Sequence, residues 1–350
     1  MLTLKQVTIP MLVRVKPGAL DRVGIYARRS QFRRLIVLFS SDLQAPLLAR
    51  LDAALAAERI EVLQRLPVQA ASFEQAETLF KQLPGPADAV LGIGGGKALD
   101  VAKYVAFLAH LPYFAVPTSL SNDGFCSPQS SLTIDGRRRS LPSAIPYGVV
   151  LDTAVCLAAP EILWLSGVGD LVAKFTAVAD WKLAFYACGT PVDDFAALVS
   201  DATVFQFIGH PVRDTEGVKL LGTALMLNGI AMAICGSSRP ASGSEHLISH
   251  ALDALSPHPR LHGLQVGIAT YLISRLQDGN TEAIAGLFEA TGFWRAIAAE
   301  PFSRAEWREA VRRAPAIKPD FYTILSARDC LSEIDGLLRT DPRLQACFVD

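Results

Sequence analysis

Six histidines occur in the 350 residues, and four of them, His246, His250, His258 and His262, fall within one short stretch. An even spread would place about 0.3 of a histidine there, so the cluster is a feature of the chain. His246 and His250 stand at i and i+4 in SGSEHLISHALDAL, so they share a helix face one turn apart, which suits a metal ligand beside an acid–base group. His262, in Leu-His-Gly after the loop Ser256-Pro257-His258-Pro259, is placed to begin the next helix and return to the same site. Neutral imidazole is the commonest transition-metal ligand, and a carboxylate must join it to hold a divalent ion with an open position. Asp170, in LSGVGDLVAK, is the candidate carboxylate, at what reads as the start of an apolar helix. On sequence alone a helix N-cap is the commoner use of Asp at such a place. His258, between two prolines, reads as an exposed loop residue, and His110 and His210 precede turns or proline without evident partners.

A second group of residues suggests phosphate binding. Gly92 to Asp100 (GIGGGKALD) follows the apolar run Ala89 to Leu91 and opens a helical pattern, ALDVAKYVAFLA. Glycines let the backbone approach a pyrophosphate, and the N–H groups of a helix start point at the anion. The pattern is neither GxGxxG nor the Walker GxxxxGK[ST], and an ordinary tight strand-to-helix turn is the competing reading.

The elements that must carry these residues change character along the chain. Arg34 to Ser40, Ile60 to Leu66, Ala89 to Ile93 and Tyr113 to Val116 are β-rich runs separated by helical segments such as Gln44 to Glu58. That rhythm predicts parallel strands with crossover helices. Ser131 to Ile134, the Asp135-Gly136 turn and Arg137 to Leu141 read as a hairpin outside the sheet. From about Ala159 the pattern becomes long Ala- and Leu-rich helical runs, broken at 189–191, 210–211, 237–240 and 256–259. The expected division is a Rossmann-like parallel-sheet domain over 1–158 and an all-helical metal- and substrate-binding domain over 159–350, with a ligand cleft between them.

Composition excludes several partner classes. With 33 basic against 34 acidic residues there is no global field to attract nucleic acid or an anionic membrane, so a small molecule is the expected partner. The cysteines Cys126, Cys156, Cys188, Cys235, Cys330 and Cys347 are scattered without a CxxC pair, which suits a reducing cytoplasm. The first residues lack the pattern of a signal peptide. Val218 to Cys235 is apolar enough to raise a membrane question, but Lys219 and Asn228 interrupt it and no second span is evident, so it reads as a core helix. Self-association into a homo-oligomer is left open.

Taken in order, GIGGGKALDVAK, VPTSLSNDGFCSP, GVGDLVAK, SGSEHLISHALD and LHGLQVGI resemble the sn-glycerol-1-phosphate dehydrogenases of the iron-containing alcohol dehydrogenase and dehydroquinate synthase superfamily, over about Ala89 to Ile268. The resemblance implies an N-terminal Rossmann-like domain and a C-terminal helical domain. It implies that Gly94, Gly95, Gly96, Lys97, Asp100, Thr118, Ser119, Ser121 and Ser127 line NAD or NADP and that Asp123 contacts the substrate. It turns Asp170 from cap to metal ligand, together with His246 and His262, and gives His250 a part in proton transfer. The implied reaction is reversible hydride transfer between dihydroxyacetone phosphate and sn-glycerol 1-phosphate, as in phospholipid metabolism. Zinc is the preferred ion for one carboxylate and two imidazoles, with iron and nickel accepting the same donors. A polyol dehydrogenase acting without phosphate and a dehydroquinate-synthase-like cyclase are the alternatives. Lys174, Arg239 and Arg137 to Arg139 are candidate phosphate partners, Lys174 the better placed and the arginine triplet more simply a solvated hairpin. Asp42, after Ser40 and Ser41, stands where ribose selectivity could lie. The chain departs from the family pattern at Asn122 and Leu264, where relatives often carry His and an acidic residue.

Overall fold

The computed structural model describes residues 7–350. The chain divides into two compact units, one ending at Ala159 and the other running from Pro160 to Asp350. The first is built on strands β1 (Leu12–Lys16), β2 (Arg34–Ser40), β3 (Glu61–Val68), β4 (Ala89–Gly94), β5 (Tyr113–Pro117) and β8 (Gly148–Asp152). They pair in parallel in the order β1-β8-β5-β4-β2-β3. Helices α1 (Val23–Arg29), α2 (Ala45–Ala57), α3 (Phe73–Lys81), α4 (Gly96–Leu108) and α5 (Thr153–Ala158) connect or follow them.

Alternation along the strands builds two cores. On β2, Leu35 and Val37 join Tyr26 of α1 and Leu51 and Leu55 of α2. Ile36 and Leu38 point the other way, to Ala76 and Leu79 of α3 and Val101 and Val105 of α4. A strand covered on both faces reads as an unbroken apolar run, which is why β2, β4 and β5 stand out in the sequence. The edge strand β1 and its neighbour β8 did not: β1 carries Arg14 and Lys16 on half-buried positions, and β8 is only GVVLD. Strands β6 (Gln129–Ile134) and β7 (Arg137–Pro142) form the expected separate hairpin. Its turn has φ of 49° at Asp135 and 72° at Gly136, the positive pair that a two-residue hairpin needs.

The second unit is helical, with α6 (Glu161–Cys188), α7 (Asp194–Ile208), α8 (Thr215–Cys235), α9 (Ser244–Leu255), α10 (His262–Leu276) and α11 (Thr281–Thr291) followed by further helices between Phe293 and Gln345. All four breaks expected in the sequence fall between these helices. One exception to the all-helical expectation is a short parallel pair, β9 (Phe302–Ser303) with β10 (Phe348–Val349). The expectation of a single apolar span is also corrected. Both α6 and α8 are long and apolar enough to cross a membrane, and 83% and 56% of their most apolar windows are buried in the protein. Core packing accounts for most of that apolarity in α6.

Candidate metal centre and glycine turn

Asp170 does not cap a helix. It is buried in the middle of α6, which begins at Glu161 behind Pro160. Gly169, the residue before Asp170, has a packing role. A Cβ on Gly169 would lie 1.9 Å from the Gly263 carbonyl oxygen, and one on Gly263 would lie 1.7 Å from that of Ser166. The backbones of α6 and α10 therefore touch at a crossing only glycines permit. The neighbours of these two glycines, Asp170 and His262, are brought together by that crossing. Helix α9 packs on both and supplies His246 from its first turn.

Asp170 Oδ1 lies 3.4 Å from His246 Nε2, 4.0 Å from His262 Nε2 and 3.9 Å from Lys174 Nζ. One donor atom from each of Asp170, His246 and His262 falls within 4.8 Å of the others. A carboxylate and two imidazoles at this spacing fit a divalent ion and leave positions for substrate or water. His250 completes the cluster, its ring centroid 5.8 Å from that of His262 and 6.4 Å from that of His246. Burial opposes ionisation of Asp170, but the Lys174 ammonium, the His246 hydrogen bond and the nearby His262 together hold its carboxyl well below the usual carboxylate range. Burial likewise opposes a charge on His246, and its hydrogen bonds to Asp170 and Glu245 more than offset it, leaving the imidazole raised.

Both imidazoles are oriented from behind. His246 Nδ1 is 2.9 Å from Glu245 Oε1. That carboxylate also accepts from the Gly243 N–H at 2.6 Å and the Thr176 hydroxyl at 2.8 Å. His262 Nδ1 is 3.1 Å from Ser249 Oγ, which in turn lies 2.9 Å from the Gln265 side-chain amide. The Glu245 carboxylate can only accept, so it keeps the proton of His246 on Nδ1 and leaves Nε2 to face Asp170. Asp180, deeper still, accepts from the backbone of Ser244 and Ile324, and burial with the Glu245 charge pushes it up to about 6. Glu245→Ala is expected to weaken zinc binding by about 10- to 100-fold. Glu245→Gln, whose amide oxygen can still accept from Nδ1, should lose much less. Chelator-competition titration of the two variants measures this, and equal affinities for wild type and Glu245→Ala would remove the orienting role.

Three residues of the sequence reading are reassigned. Lys174 is fully buried beside Asp170 and donates to the Ala241 carbonyl at 3.2 Å, so it is an internal counter-charge and not a phosphate ligand. Arg239 is buried too, 3.6 Å from the Phe321 ring centroid and donating to the Tyr322 carbonyl at 2.6 Å. His210, read as lacking a partner, sits 3.0 Å from Asp214. The Arg137 to Arg139 triplet is exposed on β7 as expected, and His258 is exposed in its loop. Sequence reasoning missed Glu245, because adjacent residues on a helix point in different directions. The only signal was an acid in an otherwise apolar buried stretch.

In the first unit the glycine turn occupies the point where the chain order reverses, between β2 and β4. In open α/β sheets this is where ligands bind, beyond the carboxyl ends of the strands. Gly94 has φ of +143°, and a Cβ there would lie 2.7 Å from that of Ser40 at the end of β2. Gly95 caps α4, Gly96 begins it, and Lys97 is exposed. The chain after β5 folds against this turn: Thr118 N donates to the Gly94 carbonyl at 3.0 Å, and Ser119 Oγ and Ser121 Oγ lie within 4.0 Å of where Cβ atoms of Gly95 and Gly96 would be. Asp123 follows in a half-buried 3-10 turn whose cap, Asn122, accepts from Gly124 N at 2.9 Å. Asp100 and Ser127 are buried beneath, Asp100 3.4 Å from Lys103 Nζ. Lys103, also missed in the sequence, donates to the Gly124 carbonyl and to Ser127 Oγ, tying the Asp123 turn to α4.

Residues 14–160 match the family model described as iron-containing alcohol dehydrogenase. The chain is 34% identical over 337 residues to the glycerol-1-phosphate dehydrogenase [NAD(P)+] of Aeropyrum pernix, covering 94% of this chain and 95% of that protein. It is 33% identical to the protein of the same name from Methanosarcina mazei, covering 96% of each. Among solved structures, glycerol dehydrogenase from Schizosaccharomyces pombe shares the fold with a TM-score of 0.76 at 19% identity, over 95% of this chain and 90% of that one. A probable glycerol dehydrogenase from Sinorhizobium meliloti does so with a TM-score of 0.74 at 20% identity, over 96% and 99%.

Proposed function

The chain belongs to the glycerol-1-phosphate dehydrogenase family of iron-containing alcohol dehydrogenases, and we propose from that premise that it reduces dihydroxyacetone phosphate reversibly to sn-glycerol 1-phosphate with NADH or NADPH. The observation that carries the reading is the convergence of Asp170, His246 and His262 in one buried cluster, with His250 beside it. These three residues would hold the divalent ion, zinc by preference and iron or nickel as alternatives. When bound, that ion supplies Lewis-acid polarisation of the substrate ketone oxygen. The dinucleotide supplies the hydride.

The protein's own contributions follow from its geometry. Asp170, kept ionised by Lys174, provides a fixed negative charge that need not reorganise during the reaction. Glu245 and Ser249 fix the orientations of His246 and His262. His250, next to both, holds or passes the proton that the developing alcohol oxygen requires. Gly94 to Gly96, Lys97, Thr118, Ser119 and Ser121 present backbone N–H groups, hydroxyls and one exposed ammonium at the strand-order reversal, where the dinucleotide pyrophosphate would bind. Asp100, Lys103 and Ser127 act from beneath by holding the Asp123 turn, and Asp123 is the substrate contact. All six cysteines are reduced thiols, which supports a reducing, cytoplasmic setting.

Oxidation of NADH and of NADPH by the zinc-loaded protein, with dihydroxyacetone phosphate and dihydroxyacetone compared, tests the reading. Strong preference for the phosphate ester is expected, abolished in His246→Ala. Equal rates with the two ketones would favour the polyol dehydrogenase, and turnover of neither with zinc, iron or nickel would overturn the assignment.

A further inference from the structure

Two side chains of α6 hold the start of α9. Thr176 Oγ1 donates to Glu245 Oε2 at 2.8 Å, and one helical turn further on Asp180 Oδ2 accepts from the Ser244 N–H at 2.7 Å. Ser244 is the first residue of α9, and the helix has no side-chain cap of its own because its N-cap position is Gly243. The first N–H groups of a helix have no partner within it, and the helix dipole favours an anion beside them. Asp180 therefore supplies from α6 the cap that α9 lacks in its own sequence.

The rest of the Asp180 carboxylate is engaged in the same way. It is fully buried, and Oδ1 accepts from Gln277 Nε2 at 3.0 Å and from the N–H of Ile324, the first residue of a short helix (Ile324–Ala327), at 2.9 Å. Ionised, it offers only acceptors, as three converging N–H groups require. Gly243 is fitted to this arrangement. A Cβ there would lie 2.8 Å from Asp180 Oδ2, 3.0 Å from Glu245 Oε2 and 2.9 Å from the Ala177 Cα, so only glycine passes between the two carboxylates and against α6.

The anchor bears on the metal cluster because His246 stands two residues after Ser244 and meets Asp170 Oδ1 at 3.4 Å. Asp170 and Asp180 belong to one helix, with about 15 Å between them along its axis. Helix α6 thus carries one member of the cluster directly and holds a second through its grip on α9.

We propose that Asp180 is a positioning residue for the metal centre: by capping α9 from α6 it sets where His246 stands relative to Asp170. The inference rests on the reading of Asp170, His246 and His262 as metal ligands. In Asp180→Asn the amide oxygen is expected on the Oδ1 side, where it serves two donors, which leaves the amide nitrogen against the Ser244 N–H. Competition with a chromophoric chelator should then show zinc bound about 10- to 100-fold more weakly. The visible absorption of the cobalt(II)-loaded protein, which reports ligand geometry, should change as well. Gln277→Met removes another donor to the same carboxylate, and is expected to lower the urea midpoint while leaving both metal readouts as in wild type. Gly243→Ala keeps both carboxylates but forces α9 away from α6, so it should reproduce the metal effects of Asp180→Asn and decides the matter if that variant fails to fold. Wild-type zinc affinity and cobalt spectrum in either Asp180→Asn or Gly243→Ala overturn the proposal, as does a Gln277→Met protein that loses as much zinc affinity as they do. A wild-type chain that takes up neither ion would overturn the metal-centre reading itself, and this inference with it.

Discussion

Asp170→Asn is expected to cost the protein both its metal and much of its stability, and a second substitution, Lys174→Met, is expected to return only the stability. Asp170 and Lys174 are one helical turn apart on α6, both essentially fully buried, with 3.9 Å between Oδ1 and Nζ. Neutralising the carboxylate leaves a buried ammonium without the charge that compensates its desolvation. Breaking such a pair from one side costs about 3–5 kcal/mol, whereas replacing both members by uncharged groups of similar size is often neutral. The metal cluster responds differently, because an amide is a poor substitute for a carboxylate ligand and Lys174→Met does nothing to restore it. Urea unfolding in the presence of a chelator isolates the stability change, and competition with a chromophoric chelator reads zinc affinity. Recovery of stability without recovery of zinc binding is the expected pattern. If Asp170→Asn alone were as stable as wild type, the buried pair would not be the compensating one. If the double variant regained zinc, Asp170 would not be a ligand.

That separation of roles shows where a sequence can and cannot be read. Local signals were sufficient for the inner strands β2, β4 and β5 and for the turn after β4, because strands buried on both faces are unbroken apolar runs and Gly94 needs a backbone that only glycine adopts readily. The pairing of His246 and His250 was legible because helical periodicity places i and i+4 on one face. The function of Lys174 was not, because charge on a helix face has the same appearance in sequence whether it meets solvent or a buried acid. Burial is a property of the elements packed around the residue, here α6, α9 and α10, and no spacing along α6 encodes it. The same holds for Asp170, which in sequence reads as a helix cap. In the structure the adjacent Gly169 is explained by the backbone of α10, almost a hundred residues away in sequence. Edge strand β1 was overlooked for the reverse reason, since Arg14 and Lys16 make a sheet edge look like a polar loop.

The helix crossing that places the ligands predicts the other large effect. Gly263→Ala puts a methyl group 1.7 Å from the Ser166 carbonyl oxygen, which belongs to the helical backbone of the second turn of α6 and cannot rotate away. Helices α6 and α10 would have to separate by on the order of 1.5 Å to restore ordinary contact. Overpacking of a core typically costs about 1–3 kcal/mol, and a clash with rigid helical backbone should reach the upper end or exceed it. Metal sites tolerate displacements of only about 0.5 Å, so moving His262 away from Asp170 should lower zinc affinity by more than Glu245→Ala does, although no ligand has been changed. Gly286→Ala provides a control of opposite sign. It lies within α11 with nothing within 4 Å of a new Cβ, so gaining a helix-favouring side chain should stabilise the protein by about 0.5–1 kcal/mol. Urea unfolding and zinc competition on the two variants distinguish a general intolerance of glycine replacement from the specific demand of the crossing. A Gly263→Ala protein that bound zinc with wild-type affinity would show that the α6–α10 contact does not set the distance between Asp170 and His262.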